Sequence, residues 1–193
     1  LARGDKVIAT YHPTSTFHKS SSRQHLHYAS WSLDDIQGFE TLLKTHRPDF
    51  IYHLASPSHV PTAQKDPRKT AIDVFIATID VVETVRRQAP GARLLYVGSA
   101  EEYANANGNP LTEESCTAGN SAYAVSKSAA TQWASVMGKD FTVCVRPFNQ
   151  IGPHQSPAFA VASFATQIAD MINSGAERTL RVGNIDVERD FID

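Results

Sequence analysis

The sequence predicts an α/β fold, a doubly wound parallel sheet truncated at both ends, and three observations carry that prediction. Short, almost unbroken apolar runs such as Phe50-Ile51-Tyr52-His53-Leu54 and Leu94-Leu95-Tyr96-Val97 alternate along the chain with longer amphipathic segments. Such runs suit strands buried on both faces, whereas a sheet with one wet face shows polar residues at every second position. The chain has 193 residues, 41% hydrophobic and 20% charged, which is enough apolar side chain for one core and too little charge for disorder.

The elements follow in order. Leu1-Ala2-Arg3-Gly4 reads as a helix end stopped by glycine, and Lys6 to Thr10 as a strand. A Ser- and Thr-rich stretch from His12 to Arg23 reads as a loop, and His25 to Tyr28 as a second strand. Leu33, Ile36, Phe39, Leu42 and Leu43 recur at three- and four-residue spacing on one helix face. Phe50 to Leu54 is the next strand. From Pro67 to about Gln88 the apolar stripe is wide enough to pack on a sheet and leave surface for a partner helix. Leu94 to Val97 is a strand ending at Gly98, Ser121 to Met137 an Ala-rich helix, and Phe141 to Val145 a strand stopped by Arg146-Pro147. Ala158 to Asn173 reads as a helix ended near Gly175, and Thr179 to Val182 as a short strand.

Several function classes drop out on composition. With 18 Lys+Arg against 20 Asp+Glu the net charge is −2, and no basic stripe with interleaved aromatics offers a nucleic-acid surface. No apolar stretch nears the roughly 18 residues that span a bilayer, and no signal-like segment opens the chain, so a cytoplasmic setting is expected. Cys116 and Cys144 stand far apart without metal or redox spacing and read as reduced thiols. His25 and His27 share a strand face, but neither a carboxylate nor a third His joins them at ligand spacing, so no metal is expected.

Parallel sheets bind ligands at the carboxyl ends of their strands. There the chain carries Gly98-Ser99-Ala100-Glu101-Glu102-Tyr103, followed by Tyr123 and Lys127, four apart on one helix face. These residue types suit proton transfer. A phenol with a pKa of about 10 needs roughly 4 kcal/mol of preference for the phenolate to titrate near neutrality, and an ammonium about 4 Å away supplies it. Lys127 is therefore expected to lower the Tyr123 pKa, and Ser99 to hydrogen-bond the same substrate oxygen.

Ser99, Tyr123 and Lys127 resemble the Ser/Thr, Tyr and Lys triad of the extended short-chain dehydrogenase/reductase family, the NAD-dependent epimerases and dehydratases of nucleotide sugars. The resemblance covers nearly the whole chain. It includes His53-Leu54-Ala55-Ser56-Pro57-Ser58, Pro110-Leu111-Thr112-Glu113-Glu114-Ser115, and Arg146-Pro147-Phe148-Asn149-Gln150-Ile151-Gly152-Pro153. It implies a Rossmann-like fold and a homodimer paired through helices. It also implies cofactor contacts at Ala55, Ser56, Pro57, Tyr123, Lys127 and Pro147, and a substrate contact at Asn149. The stretches Pro147 to Pro157 and Val182 to Phe191 are most similar to the GDP-6-deoxy-4-keto-mannose reductases, in which Arg189 matches an arginine facing the nucleotide diphosphate.

Three positions refine the expectation. Glu101 stands two residues after Ser99, where dehydratases of the family keep a catalytic Glu, so dehydration of GDP-mannose is the alternative, with epimerisation a third. His12 follows the first strand where NAD-preferring relatives have an acid, so NADP is expected over NAD, its 2′-phosphate met by His12, Lys19 or Arg23. His154, in the Gly-Pro-His-Gln loop, is expected to line the substrate pocket. The reading is a nucleotide-sugar reductase delivering hydride to C4, with residues 1–148 a partial dinucleotide-binding domain and 149–193 the start of a substrate-binding region. A non-catalytic cofactor sensor on the same fold is the rival. No Gly-x-Gly-x-x-Gly turn occurs in the chain, so the segment alone is expected to bind dinucleotide poorly.

Overall fold

The computed structural model describes residues 4–15, 25–57, 60–104, 109–175 and 179–192. Leu1 to Arg3, Lys19, Arg23 and Ser58 lie outside the described residues. Strand β1 (Val7–Tyr11) pairs in parallel with β2 (Leu26–Ser30). A second parallel sheet runs β3 (Phe50–His53), β4 (Arg93–Val97) and β5 (Thr142–Val145), in that order. Parallel neighbours need helical crossovers, and the apolar periodicities supply them. Helix α1 (Ile36–His46) starts at Asp35, whose carboxylate accepts the Gly38 N–H at 2.8 Å, and it ends at Arg47 in the left-handed region, φ 43°.

The segment expected as one long helix after Pro67 is three pieces. Helix α2 (Val60–Lys65) precedes it, α3 (Pro67–Ala71) is capped by Asp66, and a π turn (Ile72–Ile76) joins α3 to α4 (Ala77–Gln88). Helix α5 (Ala122–Met137) is capped by Ser121, whose hydroxyl accepts the Ala124 N–H at 3.1 Å. The small residues Ala124, Ala130 and Ala134 are fully buried and let α5 approach the sheet and α4 closely. Val81, Val82, Val85, Leu94 and Tyr96 join them in the core, each large apolar side chain contributing roughly 1.5–3 kcal/mol by burial.

Helices α4 and α5 cover the face of the second sheet that carries Ile51, Leu94, Tyr96 and Cys144. Alternate residues point the other way. Tyr52, Leu95 and Val143 form one row across the three strands, and on that face Phe50, Tyr52 and Leu54 are 66%, 65% and 67% exposed. The sequence pattern predicts cover on both faces; among the described residues this face stays open at Phe50, Tyr52 and Leu54.

Two further differences lie beyond β5. Thr179 to Val182 is not a strand. The side chain of Gln167, on helix α6 (Ala160–Ser174), holds both backbone groups of Arg181, accepting its N–H at 2.9 Å and donating to its carbonyl at 3.1 Å, so a side-chain amide replaces a neighbouring strand. A two-residue parallel pair, β6 (Asn149–Gln150) with β7 (Phe191–Ile192), forms instead.

Candidate active site

The turn after β4 places Ser99. Its hydroxyl accepts the Glu101 N–H at 3.2 Å while its own N–H donates to Glu102 Oε1 at 2.8 Å, a reciprocal cap at the start of a single 3₁₀ turn. The Ala100 N–H donates to the carbonyl of Pro147 at 3.0 Å, which ties this turn to the end of β5. Gly98 is confined by that arrangement. A Cβ there would lie 2.3 Å from Glu102 Oε1, 2.9 Å from Thr131 Oγ1 and 3.0 Å from the Val145 carbonyl. Gly98→Ala is therefore expected to destabilise the protein by about 1–3 kcal/mol, read as a lower midpoint in urea.

Helix α5 brings Tyr123 and Lys127 to the same strand ends, and both are buried. Burial raises the Tyr123 pKa above the ordinary phenol value; the Ser99 hydroxyl, as a hydrogen-bond partner, opposes the rise, and the Glu101 and Glu102 carboxylates add to it. Lys127 Nζ donates to the Val97 carbonyl at 2.7 Å and lies 5.9 Å from the centroid of the Tyr123 ring and 5.3 Å from that of Tyr96. Its pKa is pulled down to about 8 by burial, against the pull of Glu102. The expectation that Lys127 depresses the Tyr123 pKa is thus corrected. The ammonium is committed to a backbone carbonyl, and desolvation of the phenol prevails, so Tyr123 holds its proton at neutral pH.

Of the expected cofactor residues, Tyr123 and Lys127 stay at this centre and Pro147 lies just beyond β5, while His12, Ala55, Ser56 and Pro57 gather elsewhere in the structure. Thr10, Tyr11 and His12 at the end of β1, and Ala55, Ser56 and Pro57 after β3, line one cavity of about 280 Å³ walled by Trp31 and Leu33. Asp73 of the π turn lines it too, its carboxylate paired with Lys69 at 2.5 Å. An apolar wall beside hydroxyl, imidazole and carboxylate groups fits the base and ribose of an adenosine. Asn149, His154 and Arg189 are exposed. Asn149 Nδ2 donates to the Asp190 carbonyl at 3.3 Å and Arg189 Nη1 to the Glu188 carbonyl at 2.9 Å, so these two lie together on the β6–β7 ribbon. His154 sits in the left-handed region, φ 68°.

Sequence reasoning passed over Glu102 in favour of its neighbour Glu101. Glu102 is fully buried, accepting from Thr131 Oγ1 at 2.9 Å and from Arg146 Nε at 2.9 Å, whereas Glu101 is exposed. The signal was present, since Ser99-x-x-Glu102 has the spacing of a capping box.

Comparison with known proteins adds the family. The profile of the NAD dependent epimerase/dehydratase family matches residues 1–193. The chain belongs to that family. It is 37% identical over 152 residues to a GDP-6-deoxy-D-mannose reductase of Pseudomonas aeruginosa, covering 76% of this chain and 50% of that one. A GDP-mannose 4,6-dehydratase of Sinorhizobium fredii is 27% identical over 179 residues, covering 90% of this chain and 50% of the relative. The solved structure of RMD from Pseudomonas aeruginosa complexed with NADPH superposes with a TM-score of 0.73 at 32% identity, covering 86% of this chain and 59% of that one. The chain thus spans about half the length of these two curated relatives. As a member of the epimerase/dehydratase family it shares its parallel α/β architecture with nucleotide-sugar reductases, dehydratases and epimerases.

Proposed function

We propose that the chain carries the proton-donating centre of an NADPH-dependent reductase acting at C4 of GDP-4-keto-6-deoxy-mannose. One observation carries the reading most directly: Tyr123, buried and protonated, faces Ser99 with the Lys127 ammonium beside its ring. A reduction needs a proton donor at the nascent alkoxide, and a phenol with a raised pKa keeps its proton until that charge develops. Ser99 orients the carbonyl oxygen toward Tyr123. Lys127, mostly charged at neutral pH with a pKa of about 8, stays on the Val97 carbonyl beside the Tyr123 ring, where it would hold the ribose next to the nicotinamide. NADPH, when bound, supplies the hydride. His12, Ala55, Ser56 and Pro57 would hold its adenosine end in the 280 Å³ cavity, with Pro147 at the end of β5 beside the Ser99 turn. The likeness to a reductase and to an NADPH complex supports the same reading.

In this proposal residues 1–148 hold the cofactor and Asn149, His154 and Arg189 begin the substrate-binding region. A homodimer is part of it as well, supported by the apolar surface left on the π turn and α5, where Ile72, Ile76, Val125 and Val136 are 40%, 43%, 57% and 63% exposed. The free thiols of Cys116 and Cys144 suit a reducing, cytoplasmic compartment. A second reading, GDP-mannose 4,6-dehydratase, is favoured by Glu101, whose carboxylate acts electrostatically on Tyr123.

Loss of NADPH absorbance on adding the keto sugar nucleotide tests the proposal. Oxidation that depends on that substrate is the expected result. Release of water from GDP-mannose without net NADPH consumption would replace the reductase with the dehydratase.

A further inference from the structure

Glu102 does more than the fold requires. A carboxylate taken wholly out of water costs several kcal/mol, and an ion pair at such a position is often no more stable than an apolar pair of the same volume. Here the carboxylate is 0% exposed, and all of its partners lie around the proton-donating centre. Oε1 accepts from the Ser99 N–H at 2.8 Å and from Thr131 Oγ1 of α5 at 2.9 Å, and Oε2 accepts from Arg146 Nε at 2.9 Å. Arg146 extends the link. Its Nη1 donates to the Glu113 carbonyl at 3.2 Å, and its guanidinium lies 5.2 Å from the centroid of the Tyr103 ring. Three segments converge on one carboxylate, the Ser99 turn, helix α5 and the end of β5, and Arg146 ties the turn at Glu113 to them. The missing side chain at Gly98 leaves room for it.

We propose that Glu102, its charge balanced by Arg146, is a positioning residue for the reaction, clamping the backbone of Ser99 so that its hydroxyl meets the substrate oxygen that Tyr123 protonates. The proposal rests on the reductase reading. Glu102 reaches the substrate only through Ser99, so its removal acts on turnover and not on ground-state binding. A misplacement of about 1 Å at such a group costs about 10²-fold in rate.

Two matched double variants of the enzyme separate the clamp from mere stability. Glu102→Gln with Arg146→Met removes both charges but keeps a carbonyl oxygen able to accept from the Ser99 N–H and Thr131. Glu102→Leu with Arg146→Met removes the acceptor as well and fills the same space with apolar side chains, a replacement buried ion pairs commonly tolerate. The Gln/Met enzyme is expected to keep kcat within a few-fold of wild type. The Leu/Met enzyme is expected to lose about 10²-fold in kcat with KM unchanged. Hydrogen exchange at the Ser99 amide gives a readout that does not depend on activity: protected in wild type and Gln/Met, unprotected in Leu/Met. Equal kcat and equal Ser99 protection in the two double variants would overturn the clamp. Release of water from GDP-mannose by wild type without net NADPH consumption would instead overturn the reductase reading, and the exchange measurement would still judge Glu102.

Discussion

Tyr123→Phe is expected to lower turnover of the keto sugar nucleotide by about 10²- to 10⁴-fold. In the reductase reading proposed above, Tyr123 is the acid whose proton is both retained at neutral pH, through burial, and presented beside Ser99. Phenylalanine keeps the ring and so the packing on α5, and removes only the hydroxyl. The measurement is steady-state NADPH oxidation, paired with urea denaturation to show that the fold is kept. Full turnover in the Phe variant would move the proton donor elsewhere. Glu101 would then be the first group to test, because its charge already acts on the phenol.

Acidification is expected to weaken the fold through one residue. His53 ends β3 in the core, 8% exposed, its ring 5.8 Å from that of Tyr96. Burial, and then the charge of Lys127, hold its pKa down to about 4 from an ordinary 6.5. The unfolded chain therefore binds a proton in this window that the folded chain refuses, so stability is complete above about pH 6.5 and falls as the pH drops toward 4. The loss amounts to about 3 kcal/mol once His53 is protonated in both states. Urea denaturation at pH 7 and at pH 4 measures it, and His53→Leu is expected to remove most of the difference between the two. An equal loss in that variant would assign the acid sensitivity to other groups.

What could be read from the sequence depended on how far each signal reached along the chain. Strands β1, β3, β4 and β5 announce themselves because each is a short, mostly apolar run, with a break just beyond β4 and β5 at Gly98 and Pro147. Ser99, Tyr123 and Lys127 were legible for a similar reason, since strand-end position and four-residue helical spacing are local properties. The π turn was hidden because Ile72, Phe75 and Ile76 suit a regular helix equally well, and the extra residue shows only in backbone geometry. Thr179 to Val182 misled because its composition is that of a strand while its backbone partner is a side chain on α6. Two adjacent glutamates cannot be ranked by composition. Burial selects Glu102, and burial is decided by Arg146 and Thr131, 44 and 29 residues further along. Lys127 was placed correctly on its helix face, but its effect on Tyr123 turned on the carbonyl of Val97, a backbone group with no sequence signature.

The open face of the second sheet bears on how the 193-residue chain behaves in concentrated solution. Phe50, Tyr52, Leu54 and Val143 stand 55–67% exposed on it, and a net charge of −2 provides little long-range repulsion between molecules. Two such surfaces meeting gain contact area without first shedding tightly held water from charged groups. Self-association of this chain is therefore expected to rise with its concentration, which light scattering over a dilution series measures.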